Sequence, residues 1–132
     1  IALCNKSQLL MEMGSAAEAA AELELAVPIL GEVGDERAQG SFCGTLALAQ
    51  ARCGRQGEAA ASLREAERLL ALVDDPIELA KLRCMAGLVA IVAEDRSSAV
   101  AALEAAEEQA KAIDVQPESE LGQWLAELRE AL

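Results

Sequence analysis

The chain has 132 residues, of which 53% are hydrophobic and 26% charged, and its net charge is −12. This balance suits one domain or one array of small repeats, and it argues against disorder. The negative charge repels phosphate backbones and disfavours nucleic-acid binding, and no apolar run reaches the roughly 18 residues of a membrane span. The 29 alanines and 20 leucines, against one Phe, one Trp and no Tyr, favour helices over sheets.

Hydrophobic periodicity and turn residues together predict seven helices. In chain order they cover 1–13, 15–33, 36–53, 56–73, 76–93, 96–113 and 117–131. Because the chain begins without Met and already inside a helical pattern, we expect it to be a fragment of a longer protein. Pro28 lies within the second run, where we expect a bend or an early end of the helix. Pro76 and Pro117 suit the first turns of later helices.

The sequence repeats itself every forty residues. Segments that begin at Gly14, Gly54 and Glu94 align without a gap. The shared positions are Ala19, Ala59 and Ala99, then Leu23, Leu63 and Leu103, then Ala26, Ala66 and Ala106. Recurrence at a fixed period is the signature of a repeat architecture. We therefore divide the chain into repeats 1–34, 35–74 and 75–114, followed by a last helix within 115–132.

Each repeat carries a stripe of small and aliphatic residues along its second helix. In the second repeat Ala59 and Leu63 begin this stripe, and Ala66 and Leu70 continue it at helical spacing. The alanines let a neighbouring backbone approach closely, and the leucines fill the space between. The charged residues of the segment lie largely off the stripe and are expected to face water.

Gly54 and Gly57 stand beside Arg55 at the start of a predicted helix, which raises the question of a phosphate-binding loop. A phosphate loop needs a longer glycine pattern after a strand, whereas here a helix precedes the glycines. The spacing therefore favours a turn that folds one helix onto another.

Residues typical of catalysis and metal binding do not form a recognisable set. Histidine is absent, and the cysteines (Cys4, Cys43, Cys53 and Cys84) lack the close spacing of a zinc site. We interpret the cysteines as small core residues in a reduced, cytoplasmic protein. Acidic pairs such as Glu107 and Glu108 fit solvated helix faces and turns better than acid–base chemistry. No cofactor and no catalytic residue is predicted.

The last predicted helix carries the only tryptophan. Leu121, Trp124, Leu125 and Leu128 form one stripe on it. The stripe suits a helix that caps the open end of a stack, because terminal repeats need such a cover. A contact with a partner or with another part of a longer protein is the alternative.

This pattern resembles the tetratricopeptide repeat family over essentially the whole chain. The small residue in the middle of the first helix of each repeat corresponds to Ser7, Ala47 and Gly87, and the turn glycine to Gly14 and Gly54. The repeats depart from the usual length of about 34 residues and lack the usual aromatics. Such long, aromatic-poor repeats are similar to those of bacterial signalling proteins. The resemblance implies an all-α, right-handed solenoid of antiparallel helix hairpins, with about three repeats and a C-terminal capping helix.

In this family the first helices of successive repeats line a concave groove for a peptide or helix. The matching positions are Cys4, Gln8, Met11 and Glu12, then Ser41, Gly44, Leu48, Ala51 and Arg52, then Lys81, Cys84, Leu88 and Ile91. The resemblance thus implies a non-catalytic scaffold for a protein or peptide partner, or for a second copy of the domain. The alternative is a sensor or regulatory domain of a larger kinase, cyclase or transcriptional regulator. A third possibility, an enzyme or small-ligand receptor, lacks the residues that catalysis needs.

Overall fold

The computed structural model describes residues 15–132, and throughout that range the regular elements are all α-helices. They are α1 (Ala16–Glu32), α2 (Glu36–Arg52), α3 (Gln56–Ala71), α4 (Pro76–Val92), α5 (Arg96–Lys111) and α6 (Glu120–Ala131). The all-α prediction is confirmed, and the described helices match predicted ones. The first predicted helix, over 1–13, lies outside this range, as do Ser7 and Gly14.

Most helix starts are fixed by a short polar side chain. Asp35, Asp75 and Asp95 each accept a hydrogen bond from the backbone N–H three residues ahead, at 3.1–3.2 Å. Ser119 Oγ accepts the equivalent bond from Gly122 at 3.0 Å. Such caps satisfy amides that the first turn of a helix leaves without a partner. Pro76 follows its cap directly, as predicted, as the first residue of α4.

The turns that join α2 to α3 and α4 to α5 have the same backbone structure. Gly54 and Glu94 both adopt the left-handed conformation, with φ of 87° and 60°. In each turn the following amide bonds back to the helix it has just left: Arg55 N–H to Gln50 O at 2.8 Å, and Asp95 N–H to Ala90 O at 2.9 Å. This pattern is the helix-ending Schellman motif. Positions forty residues apart therefore share a conformation, although only one of them is glycine.

The same bonds settle the question raised by Gly54 and Gly57. The Gly54 amide donates to Ala51 O at 3.0 Å, and the Arg55 amide is also used within the chain. The segment before them is helix α2, and Gly57 lies inside α3. The two glycines thus belong to a helix-ending turn and the helix that follows it.

Two sequence-based expectations about proline differ from the structure, the first of them only in part. α1 does not end early at Pro28 but runs through to Glu32, while the alternative of a bend there stays a prediction. A proline removes one helical hydrogen bond, to the carbonyl four residues back; both Pro28 and that residue, Glu24, are exposed, so water can solvate the freed carbonyl. The last helix begins at Glu120 rather than at Pro117, because Ser119 provides the cap and leaves Pro117 in the preceding turn.

Two helices form the centre of the packing. α2 contacts α1, α3 and α4, while α4 also contacts α3, α5 and α6. Consecutive helices pair, and α2, α4 and α6 follow one another through direct contacts. The architecture is therefore repeat-like. Because α2 and α4 have neighbours on several sides, each is buried around most of its circumference.

Small residues allow these helices to approach closely. A β-carbon at Gly44 of α2 would lie 2.7 Å from Met85 Sδ on α4. A β-carbon at Gly87 of α4 would lie 2.7 Å from a methyl group of Leu128 on α6. Both distances are shorter than real β-carbon contacts, so a side chain at either glycine would force Met85 or Leu128 to move.

The repeated alanine stripe is buried as predicted. Its alanines are fully or almost fully excluded from solvent: Ala19, Ala26, Ala59, Ala66, Ala99 and Ala106. Leu23 and Ala47 are also completely buried. Leu63 and Leu103 are partly buried and pack against the core. The neighbouring Glu67 and Arg68 are exposed, which confirms the orientation assigned to α3.

Replacing Glu94 with glycine is expected to stabilise the protein. Glu94 holds a left-handed conformation that costs an L-residue about 1–2 kcal/mol, and the greater freedom of glycine in the unfolded chain offsets part of the gain. We expect the free energy of unfolding to rise by about 0.5–1 kcal/mol in urea titrations. Gly54→Ala is the control for the opposite change. Nothing lies within 4 Å of the added β-carbon, so the decrease in the free energy of unfolding measures the cost of the backbone conformation alone. An unchanged stability for Glu94→Gly would contradict this account.

Replacing Ala66 with leucine is expected to overpack the crossing of α3. Ala66 is completely buried in a cluster with Cys43, Leu69, Leu70 and Leu82, so the larger side chain should lower the free energy of unfolding by about 1–3 kcal/mol. Glu67→Leu, on the exposed neighbour, is the matched control and should change it by less than about 0.5 kcal/mol. Thermal or urea unfolding of the two variants gives the comparison, and equal losses would mean that the buried face of α3 is misassigned.

Candidate interaction surfaces

The residues predicted to line a concave groove are mostly buried within the chain. Arg52 is exposed, and Ser41 and Ile91 are partly buried. The buried members are Gly44, Leu48, Ala51, Lys81, Cys84 and Leu88. The first-repeat members Cys4, Gln8, Met11 and Glu12 lie outside the described residues. Over α2 and α4, the predicted groove is thus largely a packed surface.

The packing of α2 and α4 explains this burial. Leu48, Cys84 and Leu88 belong to the main hydrophobic core, together with Met85. The close crossing at Gly44 and the docking of α6 on α4 bring neighbours to the faces on which these residues lie. Residues that the family resemblance assigns to binding therefore serve the internal packing of this chain.

Lys81 is a buried cation that links α4 to α6. Only 5% of the residue is exposed, and its Nζ lies 3.0 Å from Glu78 Oε1 and 2.8 Å from Glu120 Oε1. Burial lowers the pKa of Lys81, but hydrogen bonds to Glu120 and Glu78, with the charges of these carboxylates, outweigh burial and leave the pKa raised. The ammonium group is therefore held charged at neutral pH, and it fixes the start of α6 against α4.

A second ion pair joins α6 to the far end of α2. Arg52 Nη2 lies 3.1 Å from Glu127 Oε1, although α2 and α6 have no backbone packing of their own. The side chains of both residues remain partly exposed, so the direct contribution of the pair to stability is below about 1 kcal/mol. Two cations of the predicted groove, Arg52 and Lys81, are thus in contact with carboxylates of α6.

The role of α6 in holding these cations was not predicted from the sequence. Glu120 and Glu127 are seven residues apart, which places them on one face of a helix. That spacing was a signal for an acidic edge on α6. The apolar stripe of the same helix is buried: Leu121, Trp124, Leu125 and Leu128 have little exposure, and Leu128 fills the space beside Gly87.

The cysteines behave as core residues. Burial raises the pKa of Cys43 to about 11 and that of Cys84 to about 12, so both thiols are protonated at neutral pH. Cys53 is partly buried, and its thiol donates to Gln50 O at 3.4 Å. All three are free, and Cys4 lies outside the described part of the chain. Raised pKa values are the opposite of what a reactive cysteine needs.

Several acidic side chains have structural partners. Asp75 caps α4 and also pairs with Arg37 at 2.9 Å. Glu107 pairs with Arg129 at 2.8 Å, joining α5 to α6. From residue 15 onward, no three Cys, Asp or Glu residues are grouped as a metal site would require. These contacts account for Asp75 and Glu107 through helix capping and surface pairing.

A cleft of about 640 Å³ lies between α5 and α6. Val115 and Leu125 give it an apolar part, and Glu104, Glu108 and Arg129 are among its charged walls. It is open to solvent, and no pattern in the sequence indicated it. The opposed charges on its walls do not distinguish one class of ligand from another.

A different surface carries large apolar groups in water. Leu25, Ile29 and Val33 are 71%, 53% and 71% exposed, respectively, and they follow one another at four-residue intervals along α1 and its end. Glu18, Glu22 and Glu32 flank them on the helix. We refer to these six residues as the outer face of α1. This face was not predicted from the sequence, because the alanine stripe on another side of α1 accounted for the periodicity.

None of the helices between residues 15 and 132 combines the length and hydropathy needed to cross a membrane. Comparison of the chain with protein-family models, with curated proteins and with solved structures gave no match. The class of the protein is therefore defined by its own features: an all-α chain of paired helices with a forty-residue repeat.

Removing the cation at Lys81 is expected to destabilise the protein strongly. Lys81→Met leaves the largely buried Glu78 carboxylate without its counter-ion, which should cost about 2–4 kcal/mol in urea unfolding at pH 7. Because the pKa of Lys81 is raised in the folded state, its contribution is complete below the unfolded value of 10.5 and is lost only as the pH rises further.

Two controls separate this effect from loss of surface charge. Glu120→Gln alters the exposed partner and should cost less than about 1 kcal/mol. Lys111→Met removes a cation whose pair with Glu108 is exposed on both sides, and it should cost almost nothing. If Lys81→Met were no more destabilising than Lys111→Met, the buried ion pair would have no structural role.

Proposed function

We propose that this chain is a non-catalytic scaffold of tetratricopeptide-like helix hairpins, stacked as a right-handed solenoid, that binds another protein. The observation that carries the proposal is the outer face of α1, where Leu25, Ile29 and Val33 are exposed. A row of aliphatic side chains in water supports a role in protein interaction. The protonated thiols of Cys43 and Cys84 and the structural pairing of the acidic residues support a role without catalysis or a cofactor.

Binding in the concave groove is the second route by which the scaffold would act. There the partner would compete with α6, because Arg52 and Lys81 are both paired with its glutamates. Groove binding would therefore require α6 to move, and it would be coupled to the loss of these pairs. The outer face of α1 needs no such rearrangement, so we assign it the primary role.

The pairs with α6 also favour a regulatory variant of the same function. In a longer bacterial signalling protein, a neighbouring domain or a second copy that displaced α6 would expose Leu88 and Cys84 and change the surface available to partners. The free thiols are consistent with a reducing, cytoplasmic setting for such a protein. If the repeat region were deleted from the longer protein and the activity of that protein did not change, the regulatory role would be contradicted.

Selection from a peptide library tests the scaffold proposal directly. The whole 132-residue chain is immobilised, and displayed random peptides of roughly 16 residues are enriched over several rounds. We expect a consensus peptide that binds in solution with a dissociation constant in the range of about 1–100 μM. Lack of any enriched peptide would contradict the proposal.

Variants then locate the site. Leu25→Ser with Ile29→Ser should abolish binding at the outer face of α1, whereas Arg52→Ala with Glu127→Ala should weaken α6 docking and affect only a groove ligand. Leu72→Ser changes an exposed aliphatic residue outside both surfaces and is the matched control. Calorimetry measures the dissociation constant of the selected peptide for each variant.

A further inference from the structure

The outer face of α1 differs from the rest of that helix in both shape and chemistry. Its aliphatic residues lie opposite Ala19 and Leu23, which are completely buried. From Leu25 to Val33 the row covers about 12 Å along the helix axis, since each residue adds roughly 1.5 Å. This length corresponds to two or three turns of a helix laid alongside, with contacts at every third or fourth residue.

The charge on α1 has a single sign. The helix contains four glutamates and no lysine or arginine. Glu24 pairs with Arg55 of the next hairpin at 2.7 Å, whereas Glu18 and Glu32 are exposed and form no ion pair with any residue from 15 to 132. The aliphatic row is therefore bordered by negative charge at both of its ends. An interface of this kind is complementary to apolar groups flanked by positive charge.

From this juxtaposition we propose that the outer face of α1 binds a basic amphipathic helix of a partner protein. The inference rests on the proposed scaffold function and specifies the partner class. Leucine-like side chains of the partner pack between Leu25, Ile29 and Val33, and lysines or arginines beside them pair with Glu18 and Glu32. The partner is a helix because α1 offers no free backbone edge to which an extended strand could add.

Two other occupants fit the charges less well. A second copy would bring the acidic borders of two α1 helices together, and like charges across an interface oppose association. An anionic membrane surface would be repelled by the same glutamates and by the net charge of −12. A basic helix meets the aliphatic row and neutralises its borders at the same time.

Two synthetic peptides of roughly 16 residues provide the test. The basic peptide has leucine at every third or fourth position and lysine at most others, and the acidic peptide replaces each lysine with glutamate. Fluorescence anisotropy with the whole chain should show the basic peptide binding at least about tenfold more tightly than the acidic one. Raising the salt concentration from about 0.05 M to 0.5 M should weaken that binding several-fold.

Variants tie the binding to the proposed surface. Leu25→Ser with Ile29→Ser should reduce the affinity for the basic peptide at least about tenfold, while circular dichroism remains unchanged because both side chains are exposed. Glu18→Gln with Glu32→Gln should reduce the difference in affinity between the basic and the acidic peptide. Leu72→Ser, an exposed aliphatic change on α3's end, should leave the affinity as it was.

Several outcomes would overturn the inference. They are equal binding of the two peptides, unchanged binding after the double serine substitution, a dimer that this substitution dissolves, or sedimentation with phosphatidylserine vesicles that depends on Leu25 and Ile29. If the library yields a peptide that ignores the outer face of α1, the scaffold function stands and this inference fails. If neither the library nor the basic peptide binds, both fail.

Discussion

The close crossing of α2 and α4 is the constraint on which the rest of the structure depends. Met85 Sδ lies 2.7 Å from the place where a β-carbon on Gly44 would be, so Met85 packs directly against the backbone of α2 and the two helices meet closely. Once they do so, both become interior elements, and α1, α3 and α5 receive most of the exposed positions. Gly44 thereby leaves room for one of the contacts that make α2 and α4 interior elements.

The sequence predicted the helices well because their periodicity is strong and their ends carry capping residues. The described helices start and end within two residues of their predicted positions, except at the start of α6, where Ser119 prevails over Pro117 as the boundary. The early end considered at Pro28 does not occur, because a single missing hydrogen bond on an exposed helix face is easily solvated. Glu94 has the same left-handed conformation as Gly54. The turn is therefore kept in the third repeat although glycine is replaced.

The surfaces were harder to predict than the helices. Spacing along one helix identifies a face, but it does not say which other helix will cover that face. The groove positions Leu48, Cys84 and Leu88 were assigned by resemblance, and their burial depends on how α2, α4 and α6 pack in this chain. α1 has both a buried alanine stripe and an exposed aliphatic row. Because the alanine stripe already explained the periodicity of this helix, the aliphatic row was not recognised in the sequence.

The docking of α6 combines a hydrophobic and an electrostatic contribution with different roles. Leu121, Leu125 and Leu128 exclude water from α4 and provide the stabilising burial. Lys81 contributes geometry, because a buried ammonium group must keep its carboxylate partners and so allows few alternative positions of α6. Arg52 adds a weaker link at the other end of that helix.

The position of Trp124 gives the molecule a built-in optical reporter. It is the only tryptophan in a sequence without tyrosine, and it is buried on α6. The near-ultraviolet emission of the protein therefore comes from one side chain at one helix. Detachment of α6 would expose that indole and shift its emission to longer wavelength, while the far-ultraviolet signal of the other helices stayed nearly constant. Local release of a single helix can thus be distinguished from global unfolding without any added label.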